Sequence, residues 1–183
     1  MPELILASQS PRRRELLENA GFRFTVRARP VEEVRRAGES PVEYVMRLAR
    51  EKAEASWESR DEIVLGADTE VVLGDSVLGK PADESEARAM LRSLADREHT
   101  VITGICLRHA GGSRVASEST RVWFGPMNDR EIAEYAATGE PLDKAGGYAI
   151  QGLASKFVER IEGCYFNVMG LPLALFYREW KRL

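Results

Sequence analysis

The chain has 183 residues, 44% of them hydrophobic and 30% charged, with a formal net charge of −3. That length suits one ordinary domain with a sizeable core, and the composition is that of a globular protein without repeats or low-complexity tracts. The slight acidic surplus argues against a general nucleic-acid binder, and apolar runs such as residues 171–177 are far too short to cross a bilayer.

Leu4-Ile5-Leu6-Ala7 is a short apolar run that predicts a buried strand. Ser10 then stands at an N-cap with Pro11 at the first helical position, and Leu16 and Leu17 face inward. Ser40-Pro41-Val42-Glu43 is a capping box opening a second helix, with Val45, Leu48 and Ala49 on one face. Residues 63–66 and 71–73 read as strands, and Gly74-Asp75 turns the chain into Val77-Leu78. Asp83 and Glu86 start a helix that carries Ala87, Met90, Leu91 and Leu94.

Two long strands follow, about 99–108 and 114–124, joined at Gly111-Gly112. Asn128 and Glu131 open a helix closed by Thr138-Gly139. Short strands are expected near 147–150 and 157–161, and a last helix over about 172–182. Helices and hairpins mixed in this order fit a mixed α/β sheet better than a strict βαβ series. No composition shift marks a domain boundary.

The N-terminal apolar stretch is only a few residues long and lies beside Glu3, so no signal peptide is expected and the cytoplasm is the expected location. Cys106 and Cys164 stand without a CxxC or HExxH pattern. They support neither a disulfide framework nor a zinc site, and both are expected in or near the core.

Ser8-Gln9-Ser10-Pro11-Arg12-Arg13-Arg14 is the first candidate for chemistry. A helix N-terminus offers unpaired N–H groups and partial positive charge to phosphate oxygens. Arg12 and Arg13 in that first turn oppose the helix dipole, a penalty that a bound anion reverses. Taken alone, the segment is equally a solvated basic turn.

Gly66-Ala67-Asp68-Thr69, at the end of an apolar strand, is the second. A carboxylate there can ligate Mg²⁺ or orient a water, though an ordinary Asp, with a pKa of about 3.9, is a weak base at neutral pH. The alternative is an Asp that satisfies a local turn. Lys52 near a helix C-terminus complements the dipole, Lys80 in Gly79-Lys80-Pro81 sits on a stiff turn, and Lys144 lies in the loop 141–147. Glu33 reads by default as a surface charge.

P-loop, GxGxxG and GxSxG signatures are absent from the sequence, and His99 and His109 on one strand offer no catalytic role. No aromatic platform interleaves with basic residues, which leaves single-strand binding without support.

Taken in order, several segments resemble the Maf-like family of nucleoside triphosphate pyrophosphatases. They are Leu-Ala-Ser-Gln-Ser-Pro-Arg-Arg-Arg-Glu-Leu-Leu (6–17), Arg-Leu-Ala-Arg-Glu-Lys-Ala (47–53) and Leu-Gly-Ala-Asp-Thr (65–69). They continue in Gly-Lys-Pro (79–81), Glu-Pro-Leu-Asp-Lys-Ala-Gly-Gly-Tyr-Ala-Ile-Gln-Gly (140–152) and Asn-Val-Met-Gly-Leu-Pro-Leu (167–173).

The resemblance implies a single catalytic domain over 1–183. Its α/β architecture would be elongated, with a mixed sheet, flanking helices and two lobes around a cleft, similar to the inosine triphosphatase fold. It implies hydrolysis of the α–β phosphoanhydride with a divalent cation, Mg²⁺ or Mn²⁺, on a free nucleotide, with no nucleic acid or membrane involved, and a homodimer.

By matching position, Asp68 is the expected general base. Arg12, Arg13, Lys52 and Lys80 are expected to hold the triphosphate, with Ser8 lining the site and Glu33 joining Asp68 at the metal. Substrate choice is associated with Arg12, Thr69 and Gln151, the set of the branch acting on dTTP and UTP and on related modified pyrimidine nucleotides. The carboxamide of Gln151 can pair with the imide edge of a pyrimidine. The alternatives are the 7-methyl-GTP branch, which carries other residues at those places, and a nucleotide-binding regulator of cell division that hydrolyses little. Glu70 departs from the family, which has an apolar residue after Asp-Thr. On a strand it shares the side of Asp68, where it can add a metal ligand or raise the Asp68 pKa by like-charge repulsion, but it is expected to turn into solvent.

Overall fold

In the computed structural model, which describes residues 2–183, β1 (Glu3–Leu6) leads into α1 (Pro11–Asn19) through the expected cap. The Ser10 hydroxyl accepts from the Arg13 backbone N–H, and Pro11 occupies the first turn. A two-residue strand, β2 (Thr25–Val26), and the helix α2 (Pro41–Ala55) follow. The capping box of α2 is complete: Ser40 accepts from the Glu43 N–H and Glu43 reaches back to the Ser40 N–H.

Next come β3 (Glu62–Leu73), β4 (Ser76–Leu78), α3 (Glu84–Leu94), β5 (Glu98–His109), β6 (Gly112–Phe124) and α4 (Asp129–Ala136). Three short 3₁₀ turns span 140–157 before β7 (Val158–Glu162), α5 (Tyr165–Met169) and α6 (Leu173–Trp180). The strands form one mixed sheet in the order β2-β1-β3-β5-β6-β7, with β4 folded back on β3. β1 runs parallel to both β2 and β3, while the β3–β4 and β6–β7 pairs are antiparallel. The mixed α/β sheet with flanking helices is thus as expected.

The chain divides into two compact units. The first holds residues up to Thr69, Thr103–Glu118 and Gly170–Leu183; the second holds Glu70–Ile102 and Ser119–Met169.

In the first unit, Ile5, Ala7, Ala49, Ala53, Val64 and Cys106 make a core against which Trp57 and Val115 pack. Val45 and Leu48 of α2 are fully buried, each worth roughly 1.5–3 kcal/mol of transfer free energy. Two glycines let α2 lie this close to the sheet. A Cβ at Gly66 would overlap the Ala49 carbonyl oxygen and come within 2.8 Å of the Ala53 nitrogen, and one at Gly104 would overlap the Val45 carbonyl. The backbones of helix and strands therefore touch directly.

In the second unit, His99, Phe124 and Tyr148 pack edge to face, with ring centroids 4.7–5.4 Å apart. Leu91 and Leu94 of α3 and Ile132 of α4 are fully buried.

Three expectations change. β3 is continuous through 66–69, so Asp68 lies inside a strand and not at its end. Gly66 serves close backbone approach there, the other meaning of a glycine within a strand. Residues 147–150 form no strand, because Gly146 and Gly147 both adopt positive φ and the chain closes into 3₁₀ turns. The five-residue α5 went unforeseen, being too short to show a helical period. Cys106 is buried, Cys164 is half-buried, and both are free thiols.

Candidate active site

The central pair joins α2 to β3. Lys52, in the last turn of α2, places Nζ 2.6 Å from Asp68 Oδ1 and 2.7 Å from Glu33 Oε1. Asp68 is buried, Lys52 nearly so, and Glu33 half-exposed. The second oxygen of Asp68, Oδ2, is buried and has no hydrogen-bond partner among the described residues.

Burial pushes the Asp68 carboxyl above the ordinary carboxylate range. The charge and hydrogen bond of Lys52 and the charge of Arg13 pull it back, while the Glu33 charge pushes with the burial. A carboxyl in this position becomes a better base at neutral pH, provided a neighbouring cation keeps it ionised.

The loop that carries Glu33 is fixed from the same helix. The Tyr44 hydroxyl donates to the Glu33 carbonyl at 3.0 Å, and Arg47 Nη2 donates to the Val34 carbonyl at 3.0 Å. Arg47 also pairs with Glu39 at 2.6 Å and with Glu51 at 3.1 Å. The Arg47 hydrogen bond holds the Glu39 carboxyl down to about 2.

A second cluster surrounds the start of α1. Arg13 donates from Nε to the Gly170 carbonyl at 2.8 Å, from Nη1 to Ser8 Oγ at 3.0 Å and from Nη2 to Thr69 Oγ1 at 3.1 Å. Thr69 Oγ1 lies 2.9 Å from Thr103 Oγ1, and Ser8 Oγ also accepts from the Ser10 N–H at 3.2 Å. Burial lowers the Arg13 guanidinium, Asp68 and Glu33 favour its charge, and Arg12 opposes it. It stays protonated throughout. Three of its five N–H donors are spent on the protein, leaving two for an anion.

The structure therefore brings Ser8, Arg12, Arg13, Glu33, Lys52, Asp68 and Thr69 into one unit, linked by contact or by charge. Lys80 and Gln151 belong to the other unit, and both are exposed. Lys144 turns its ammonium onto its own loop, onto the Glu140 carbonyl and Asp143 Oδ1, each at 2.6 Å. Glu70 is half-buried and not turned fully into solvent.

Sequence reasoning missed Thr103, Tyr44 and Arg47 as members of this network. Tyr44 and Lys52 lie on one stripe of α2, eight residues apart, a spacing that could have pointed to Tyr44. Arg47 opens the 47–53 segment singled out above. No local pattern announces Thr103.

A hard divalent cation suits this donor set in a restricted way. Asp68 Oδ2 is an open buried acceptor, and Glu33 offers a second carboxylate. Among the described residues, however, no group of three or more His, Cys, Asp or Glu side chains could hold an ion by itself. Such a set matches an ion that takes one or two carboxylates and completes its shell with water and substrate oxygens.

A family model described as Maf-like protein matches residues 3–183. A dTTP/UTP pyrophosphatase of Geobacillus sp. (strain WCH70) is 50% identical over 184 residues, covering 100% of this chain and 99% of its own length. A dTTP/UTP pyrophosphatase of Koribacter versatilis (strain Ellin345) is 51% identical over 180 residues, covering 98% of this chain and 93% of its own. Among solved structures, the Ham1 protein of Staphylococcus aureus covers 67% of this chain and 71% of its own, at 16% identity and a TM-score of 0.47.

Proposed function

The chain belongs to the Maf-like protein family, and from that premise we propose that it hydrolyses dTTP and UTP to the monophosphate and pyrophosphate. The observation that carries the chemistry is the buried Asp68, held on one oxygen by Lys52 and open on the other. On this reading Asp68 takes the proton of a water that attacks a phosphorus of the triphosphate. Its raised pKa makes it a stronger base than a solvated carboxylate, and Lys52 keeps it ionised and fixes its orientation.

Arg12, Arg13, Lys52 and Lys80 are assigned to the phosphates, where fixed positive charge offsets the charge that develops as the anhydride breaks. For Arg12 and Arg13 the support is their place in the first turn of a helix, where backbone N–H groups add to the field. Ser8 orients Arg13. Gln151 and Thr69, with Arg12, are assigned to pyrimidine recognition. A divalent cation, Mg²⁺ or Mn²⁺, would polarise the water and screen the phosphates, with Asp68 and Glu33 as its protein ligands.

Residues 1–183 would act as one catalytic domain, working as a homodimer on free cytoplasmic nucleotides, including modified pyrimidines, without nucleic acid. No helix among the described residues is long and apolar enough to cross a membrane.

The test is product analysis by anion exchange with Mg²⁺ or Mn²⁺ and a panel of dTTP, UTP, CTP and 7-methyl-GTP. Monophosphate and pyrophosphate from dTTP and UTP are expected. Turnover of 7-methyl-GTP alone would overturn the role of Gln151 and keep the reaction. Nucleotide binding without product would overturn the reaction and favour a regulator.

A further inference from the structure

Gln151 is the exposed tip of a turn whose two flanks lead to a single carboxylate. The turn closes where the Gly152 N–H donates to the Ala149 carbonyl at 3.1 Å, with Ile150 buried and Gln151 exposed between them. On the far side, the Leu153 N–H donates to both oxygens of Glu140, each at 3.2 Å. On the near side, the Ala149 N–H donates to the Tyr135 hydroxyl at 3.4 Å, and that hydroxyl donates to Glu140 Oε1 at 2.7 Å.

Gly152, directly after Gln151, lies so close that a Cβ there would overlap the Glu140 carboxylate. A side chain at 152 would therefore displace it. Upstream, the buried Tyr148 hydroxyl lies 2.7 Å from His99 Nε2, which fixes the entry to the turn. All of these groups lie in one unit.

We propose that Glu140 is a positioning residue: through Leu153 and Tyr135 it holds the 149–153 turn, and thereby Gln151, in the pose that reads the pyrimidine. This rests on the role given to Gln151 above. The physical reason is entropic. An exposed carboxamide on a free turn samples many poses and must be ordered at each binding event, whereas one on a pinned turn is ordered in advance. Glu140 touches no substrate in this scheme and acts only through the backbone that bears Gln151. Truncating it should weaken base discrimination and leave the chemical step alone.

The experiment measures kcat and KM with UTP, dTTP and CTP for wild type, Glu140→Ala, Glu140→Gln, Gln151→Ala and the Glu140→Ala/Gln151→Ala double variant. Glu140→Ala should raise KM for UTP about tenfold, change kcat less than about twofold, and lower the preference for UTP over CTP about tenfold. Glu140→Gln keeps an acceptor oxygen for the Leu153 N–H and the Tyr135 hydroxyl, and should recover most of that preference. The double variant should discriminate no worse than Gln151→Ala alone, since the two residues act in series.

If Glu140→Ala fails to fold, Tyr135→Phe removes the near-side link and keeps the ring, and should show the same loss at about threefold. An unchanged UTP preference in a folded Glu140→Ala or Tyr135→Phe protein overturns the proposal. So do losses that add in the double variant, or an equal fall of kcat on all three nucleotides. An unchanged preference in Gln151→Ala overturns the reading of Gln151 itself, which separates the two failures.

Discussion

The ammonium of Lys52 lies between two carboxylates, 2.6 Å from Asp68 Oδ1 and 2.7 Å from Glu33 Oε1, and joins a helix, a strand and a loop at one point. The two acids differ in setting: Asp68 is buried, whereas Glu33 is half in solvent. The shared cation therefore matters more to Asp68, whose charge burial disfavours.

Asp68→Asn should lower kcat/KM by roughly 10²–10⁴-fold, the usual worth of a general base. The same variant should melt higher at pH 7. Because the folded-state pKa of Asp68 is raised, its contribution to stability is present below the ordinary carboxylate range and lost as pH rises through the raised value. The asparagine escapes that loss, and each kcal/mol recovered adds about 2–4 °C to Tm for a chain of this size. Calorimetry from pH 3 to pH 8 checks the sign, since the difference should vanish at the acid end. In wild type, kcat/KM should fall on the acid side with a midpoint above about 3.9.

Removing the cation tests the converse. Lys52→Met removes the cation between the two carboxylates and leaves Arg13 as the remaining counter-charge to Asp68, which raises the Asp68 pKa further. The acid limb of the kcat/KM profile should move to higher pH, with activity at pH 7 down by about 10²-fold or more. A lower rate with an unshifted limb would mean that Lys52 serves the phosphates alone.

With so few carboxylates available, metal affinity should depend on nucleotide. Chelation should abolish turnover and addition of Mg²⁺ should restore it. Titration calorimetry should show Mg²⁺ binding the protein at least about tenfold more tightly in the presence of a non-hydrolysable UTP analogue, because the phosphates complete the ion's shell. Equal affinity with and without nucleotide would point to a preformed site that Asp68 and Glu33 do not make.

Gly66→Ala should damage the site without altering any group in it. The added methyl would overlap the Ala49 carbonyl, so α2 must move off β3 and carry Lys52 away from Asp68. Overpacking of this kind costs roughly 1–3 kcal/mol, or several degrees in Tm. The activity loss should exceed what unfolding alone explains, measured well below the melting temperature.

Arg47→Gln should loosen the loop that bears Glu33. The Glu39 carboxyl, held at about 2 by the Arg47 hydrogen bond, would return toward its ordinary value. A depressed carboxylate stabilises the fold above its ordinary pKa and loses that contribution as pH falls toward the depressed value. The variant should therefore lack the stability that wild type loses between about pH 4.5 and pH 2. Amide hydrogen exchange over 33–39 should accelerate, and kcat/KM should drop about tenfold.

Much of this was legible in the sequence. Ser10, Ser40, Asp83 and Asn128 each announce a helix start through side-chain chemistry that depends on a few neighbours, and all four cap as expected. The segments quoted for the family contain Lys52, Asp68, Glu140 and Gln151, though not Tyr135 or Leu153.

What could not be read is which of them meet. Lys52 and Asp68 stand 16 positions apart on a helix and a strand, and the close contacts of α2 with Gly66 and Gly104 fix their approach. Thr103 enters through the neighbouring strand β5, across a sequence separation of 34 from Thr69. The 147–150 segment looked like a strand because its residues are apolar. Two glycine φ values that no composition rule reveals turn it into the support of Gln151.

The fork of Arg13 ties Ser8, Thr69 and Gly170, which stand 5, 56 and 157 positions away from it in the sequence. The N-terminal end of α1 therefore cannot take its final form while residue 170 is still inside the exit tunnel. A chain whose synthesis stops short of that point carries Asp68 and Lys52 without a seated Arg13. If Arg13 holds the phosphates, such a fragment should lack the hydrolysis proposed for the whole chain.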